Sequence, residues 1–110
     1  VKFQEVELEK VMLEPARYMD VNILVKGLLA VRADKTTPYI EGATEETRLE
    51  ISDRDFVDRL LDNVPCYVGG KFLYHDQVSI VARAGGGKHG PVLDEIVKVV
   101  FVRGGETFTI

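Results

Sequence analysis

Val21-Asn22-Ile23-Leu24-Val25-Lys26-Gly27-Leu28-Leu29-Ala30-Val31-Arg32-Ala33 is the stretch on which the fold turns. Val21, Ile23, Val25 and Val31 are β-branched. Ile23, Val25, Gly27 and Leu29 fall on one alternating face, the period of a half-buried strand. Gly27 interrupts that face, and a glycine inside a strand marks a bulge or a sharp bend. A long strand with a bend built in is what a small, self-closing sheet needs.

Reading outward, Asp34-Lys35-Thr36-Thr37 is polar and ends in Pro38, so it forms a turn. A short strand follows over Pro38–Gly42, then an acidic loop at Ala43–Glu46. A third strand spans Thr47–Ser52, with Leu49 and Ile51 inward and Arg48 and Glu50 outward. Ser52 or Asp53 can then cap a helix whose apolar stripe is Phe56, Val57, Leu60 and Leu61. Asp55 and Arg59 stand four apart, the favourable order for an ion pair on that helix. Strand resumes over Cys66–Ala84, broken early by Gly69-Gly70, with Phe72, Tyr74, Asp76, Val78, Ile80 and Ala82 on one face. The glycine run Gly85–Gly90 reads as a mobile loop. Val97 to Val102 argues for strand over most of Val92–Arg103, and Gly104-Gly105 is a two-residue hairpin turn before a closing strand. Upstream, Leu8, Val11 and Met12 share a helical face, which favours a short helix over Gln4–Leu13 although Val6 and Leu8 also alternate. Pro15 disfavours helix at Glu14.

The chain is thus mainly β with one or two short helices and five or six strands, and its 110 residues make one domain, 1–110. That length buries a core without disulfide or metal staples. No apolar run approaches the roughly 20 residues of a membrane-spanning helix. Cys66 is the only cysteine and cannot form an internal disulfide, which favours a cytoplasmic setting. The chain begins at Val1, so a leader removed upstream would leave no trace.

The order of strands and helix resembles the OB-fold, and particular residues add to it. Leu13-Glu14-Pro15-Ala16-Arg17-Tyr18 leads into Ile23, Val25, Gly27 and Leu29. This resembles the first-strand entry of bacterial OB-fold domains, where a Pro and a Tyr precede a run of the form V-x-V-x-G-x-L. Pro38-Tyr39-Ile40 is similar to the start of their second strand, and Gly70–Val81 to a later one. The resemblance implies a small OB-like Greek-key barrel, with the helix between the third and fourth strands stoppering it. It also implies binding through the face of strands two and three, here Tyr39, Glu41, Arg48 and Glu50. A single-stranded nucleic acid on that face would stack its bases on aromatics, for which Tyr39, Phe72 and Tyr74 qualify. Lys35, Arg48, Lys71, Arg83 and Lys88 would then supply charge to its backbone. Core packing is the competing reading for Phe72 and Tyr74, because they alternate with Val78 and Ile80.

Net charge is −4 and the isoelectric point about 5.2, opposite to the cationic excess of most nucleic-acid modules. Glu41, Glu45, Glu46 and Glu50 would repel phosphate around the same face. No catalytic constellation assembles. Cys66 needs a nearby histidine to act as nucleophile, and only His75 and His89 exist. His75, Asp76 and His89 lack metal-ligand spacing, since His75 and Asp76 point to opposite strand faces. Gly85-Gly86-Gly87-Lys88 lacks the first glycine and the Ser/Thr of a phosphate loop.

The expectation is therefore a non-catalytic binding module, with no cofactor and no metal, that engages a protein partner. An immunity or inhibitor-type protein masking a basic nuclease is one concrete form. An OB-fold binder of single-stranded nucleic acid or oligosaccharide is the alternative.

Overall fold

In the computed structural model, which describes residues 2–34, 36–42, 47–87 and 90–110, the Val21–Ala33 stretch holds the central strand. The elements in order are β1 (Gln4–Glu5), α1 (Leu8–Leu13), α2 (Pro15–Tyr18), β2 (Asn22–Arg32), β3 (Tyr39–Glu41) and β4 (Arg48–Ile51). They are followed by α3 (Phe56–Asn63), β5 (Phe72–Gly87), β6 (Gly90–Arg103) and β7 (Glu106–Thr109). The chain is mainly β, and its sheet closes on itself as the ring β2-β3-β4-β6-β5-β2. Four of the five seams in that ring are antiparallel, and β4–β6 is parallel through Glu50↔Val92 and Ile51↔Leu93. β1 lies parallel to β2 on the edge that β2 shares with β3, and β7 adds to β6 outside the ring.

Gly27 shows why β2 can serve two seams. A Cβ there would lie 2.5 Å from Ile40 Cγ2 and 2.7 Å from the Glu41 carbonyl oxygen. β3 can lie this close to β2 only because residue 27 has no side chain. The ring interior is filled by alternate residues of every ring strand, among them Ile23, Val25, Leu29, Ile40, Leu49, Tyr74, Ile80, Leu93 and Phe101. Tyr74 donates its hydroxyl to the Val64 carbonyl at 2.7 Å, so its polar tip is satisfied inside the core. Burial pushes the Tyr74 pKa up to about 12. The Cα radius of gyration, 13.1 Å, is that of a compact chain of this length.

One edge of β6 is shared by three neighbours. β4 takes Val92 and Leu93, and β7 takes Val100 to Arg103. Between them α3 and its lead-in act as a surrogate strand. Asp53 Oδ2 accepts the Ile96 N–H at 3.0 Å, and the Arg59 guanidinium donates to the Ile96 and Val97 carbonyls at 2.9 and 3.0 Å. Backbone groups that would otherwise lack partners are thus satisfied by side chains.

Several expectations are corrected. Among the described residues there are seven strands, five of them in the ring, and three helices where one or two were expected. The helix over Gln4–Leu13 covers only Leu8–Leu13, because Gln4, Glu5 and Val6 pair with β2 and Glu7 stays extended. Glu14 is non-helical, as Pro15 predicts, and Pro15 itself, with its φ preset, opens a further helix, α2. Strand does not resume at Cys66 but at Phe72, after the chain bends at the expected Gly69-Gly70 break, Gly69 standing at φ +86°. Gly85 to Gly87 belong to β5 and pair with Val92, Pro91 and Gly90, because a neighbouring ladder outweighs the weak strand preference of glycine. Asp53 does not cap α3 with its side chain. It turns to β6 and to the Asp55 N–H. Arg59, expected beside Asp55, reaches the β6 carbonyls. Leu61 is 46% exposed. At about 100° per residue it stands far from the Phe56–Leu60–Val64 line, which is what the core covers.

Other readings stand as made. β4 alternates with Leu49 and Ile51 buried and Arg48 and Glu50 exposed. The β6–β7 hairpin turns at Gly104 and Gly105 with φ +53° and +86°, both in the left-handed region that its two-residue turn requires.

Candidate functional site

The strand pairing brings Tyr39, Glu41, Arg48 and Glu50 together. Tyr39 is the register partner of Glu50, and Glu41 that of Arg48. All four lie on the outer face of β3 and β4. The Arg48 guanidinium sits 4.4 Å above the Tyr39 ring, a cation–π contact, and Tyr39 is only 6% exposed beneath it. Glu41 lies 3.9 Å from His75 Nε2 across the sheet. Phe72 stacks on His75 with ring centroids 4.4 Å apart, and Arg32 covers Phe72 at 5.6 Å. Arg32 is in turn paired with Asp34 at 3.2 Å.

Beside this face runs a groove of about 880 Å³. One wall is β4 with the Thr36–Pro38 passage, and another is the tip of the β5–β6 hairpin at Gly86, Gly87, Gly90 and Pro91. The start of α3 completes it. Ile51, Val57, Leu61, Leu73 and Val92 give it an apolar lining. Its charge is mixed, with Arg32, Arg48 and Arg54 against Glu50, Asp53, Asp58 and Asp94. A shallower hollow of about 530 Å³ adjoins it between Arg32, Tyr39 and Arg48, with Thr36 and Thr37 on its rim.

The remaining expected residues do not join the β3–β4 group. Lys71 is exposed beside the end of β2, where its carbonyl accepts the Ala33 N–H at 2.8 Å. Arg83 pairs with Asn22 at the start of β2 and is held by Asp94 at 2.9 Å and Glu95 at 3.9 Å, so its charge is already matched. Lys88, like Lys35, His89, Glu45 and Glu46, lies outside the described residues. Tyr74 turns into the core and is completely buried, whereas Phe72, expected on the same face, lies half-buried on the outer side against His75 and Arg32, because the register with β2 shifts between Val31 and Arg32. His75 and Asp76 do point to opposite faces. Among the described residues no group of three or more His, Cys, Asp or Glu side chains could hold a metal ion. No helix among them is long and apolar enough to cross a membrane.

Sequence reading missed the strongest polar cluster. Asp76 is 6% exposed and accepts the Tyr67 hydroxyl at 2.7 Å and two Arg103 donors. Burial pushes the Asp76 carboxyl up, but Arg103 and Tyr67 together outweigh it and hold its pKa below the ordinary aspartate value. Arg103 also donates to the Pro65 carbonyl at 2.7 Å and lies 4.4 Å over the Tyr67 ring. Every bond in the cluster is internal, and it ties the 64–67 passage to β5 and β6. The signal available in sequence was the charge of Asp76 on an otherwise apolar face. The groove was missed because its hairpin wall and its helix wall meet only in the closed ring.

Comparison with protein-family models, with curated proteins and with solved structures found no match for this chain.

Proposed function

We propose that the ring is a small OB-like Greek-key barrel and that the chain is a non-catalytic binding module whose groove receives a segment of a protein partner. The ring order β2-β3-β4-β6-β5, its parallel β4–β6 seam and the entry of α3 between the third and fourth ring strands support the fold reading. The observation that carries the function is the groove lining. An apolar strip with an exposed Leu61, rimmed by both signs of charge, suits a polypeptide with apolar anchors and charged flanks. The net charge of −4 favours a basic partner, of which a nuclease masked by an immunity-type protein is an example.

The test is co-purification from the native cell with the wild type and with Leu61→Asp. Leu61 is exposed, so the variant is expected to fold. A basic partner that elutes in salt and is lost with Leu61→Asp supports the reading. Equal recovery with both chains, or recovery of general chaperones alone, overturns it.

A second reading has its own support. The row of Arg48 on Tyr39 and of Arg32 on Phe72 and His75 pairs cations with aromatics, as binders of single-stranded nucleic acid or oligosaccharide do. Against it, Tyr39 is covered, Arg32 is matched by Asp34, and Glu41 and Glu50 share the face. A labelled mixed oligonucleotide titrated at low salt decides. Binding that Arg48→Glu weakens favours this reading, and no binding removes it.

A further inference from the structure

β7 has one paired edge and one bare one. Val99 and Ile110 exchange both backbone hydrogen bonds, at 3.2 and 2.9 Å. Bonded and non-bonded pairs alternate along an antiparallel ladder, so Phe101↔Phe108 and Arg103↔Glu106 are bonded pairs too. The N–H and C=O groups of Thr107 and Thr109 therefore point away from β6. Among the described residues no strand takes that edge, and both threonines are exposed.

Folded proteins shield such edges with lysine, proline, a bulge or very short strands. β1 has such a shield, being two residues long with Glu5 tied to Lys26 at 3.2 Å. β7, four residues long, has neither lysine, nor proline, nor a bulge. Its register with β6 is unbroken, and its one charge, Glu106, sits at the turn.

We propose that the β7 edge pairs with the β7 edge of a second copy of this chain, antiparallel about a two-fold axis at Phe108. Centring the pair there uses every outward group. Thr107 of each copy bonds Thr109 of the other, giving four hydrogen bonds. Phe108 faces Phe108 as a non-bonded pair, the geometry in which cross-strand side chains approach most closely. Glu106 stands opposite Ile110, so no like charges oppose each other. Both copies are already half-way to this contact, because Phe108 is only partly buried and Val102, 54% exposed, flanks Thr107 on the outer face. A contact of one short strand lies below the roughly 1,000 Å² of a durable interface, so the dimer is weak and exchanges rapidly. Each copy carries −4, so added salt tightens it by screening. A basic partner in the groove responds to salt in the opposite direction, and the two ideas fail independently.

Sedimentation equilibrium over a wide concentration series, at low and moderate salt, tests the proposal. The wild type is expected to show a monomer–dimer equilibrium that strengthens with salt. Thr107→Pro removes an outward N–H and leaves the β6 ladder intact, so it is expected to weaken dimerisation at least about tenfold. Thr109→Lys, at an exposed edge position, gives the same result without a backbone change if the proline variant proves unstable. In a Cys66→Ser background, Phe108→Cys is expected to form a disulfide-linked dimer on mild oxidation. A wild type that stays monomeric throughout, whether because another protein's strand takes this edge or because none does, overturns the proposal. So does a folded Thr107→Pro or Thr109→Lys chain that dimerises as the wild type does.

Discussion

Asp76 of β5 and Arg103 of β6 meet in a forked pair, with Arg103 Nε on Oδ1 at 3.0 Å and Nη2 on Oδ2 at 2.8 Å. The carboxylate is almost wholly buried and the guanidinium four-fifths so. Such a pair adds little over a well-packed apolar one, but it is costly to break from one side, because the surviving charge is left without a partner. Arg103→Leu is therefore expected to destabilise the fold by about 3–5 kcal/mol. Urea unfolding measures it, and a loss under about 1 kcal/mol would show that water reaches Asp76 after all.

Acid should attack the same pair. Arg103 and Tyr67 hold the Asp76 pKa below its unfolded value, so its contribution to stability is complete above the ordinary aspartate range. It is lost progressively as pH falls below about 4 and through the depressed folded value. Unfolding free energy measured from neutral pH downward is expected to drop over that window. Asp76→Asn is expected to flatten the drop, and an unchanged acid limb in that variant would assign it to other carboxylates.

Gly27→Ala is expected to cost about 1–3 kcal/mol, because the new methyl meets the Glu41 carbonyl as well as Ile40. Replacing Ile40 by leucine removes the Cγ2 branch and so relieves only one of the two collisions. The double variant Gly27→Ala, Ile40→Leu should thus recover part of the loss and no more. Full recovery would mean that β3 can move away from β2.

Arg59→Met keeps the aliphatic stem of the side chain and removes its donors. The Ile96 and Val97 carbonyls then lose their partners, at a cost of about 1–3 kcal/mol for a desolvated acceptor. Thermal melting is expected to show the loss. A melt equal to the wild type would show that solvent replaces the guanidinium freely.

What could be read in advance was local. The alternation of β2 and β4 and the glycine pair at 104–105 each act over neighbouring residues, so periodicity and turn chemistry sufficed. What could not be read was the choice of distant partners. Arg59 has Asp55 one turn away, yet its bonds reach Ile96 and Val97, more than thirty residues on. Gly85 to Gly87 look loose as a string and become strand because β6 lies alongside them. At the candidate site, the grouping of Tyr39, Glu41, Arg48 and Glu50 followed from two short strands close together in sequence. The closure of Arg48 over Tyr39 did not, since it depends on how the outer face packs.

One strand, β6, braces the curved sheet, α3 with its lead-in, and the final hairpin along a single margin. A residue inserted or deleted between Leu93 and Val99 would reverse which of its side chains face inward beyond that point. In the same stroke it would misalign Asp53, Arg59 and β7. Evolutionary drift in length should accordingly be forbidden there and tolerated at the turns, so β6 is the ruler against which the rest of the molecule is cut.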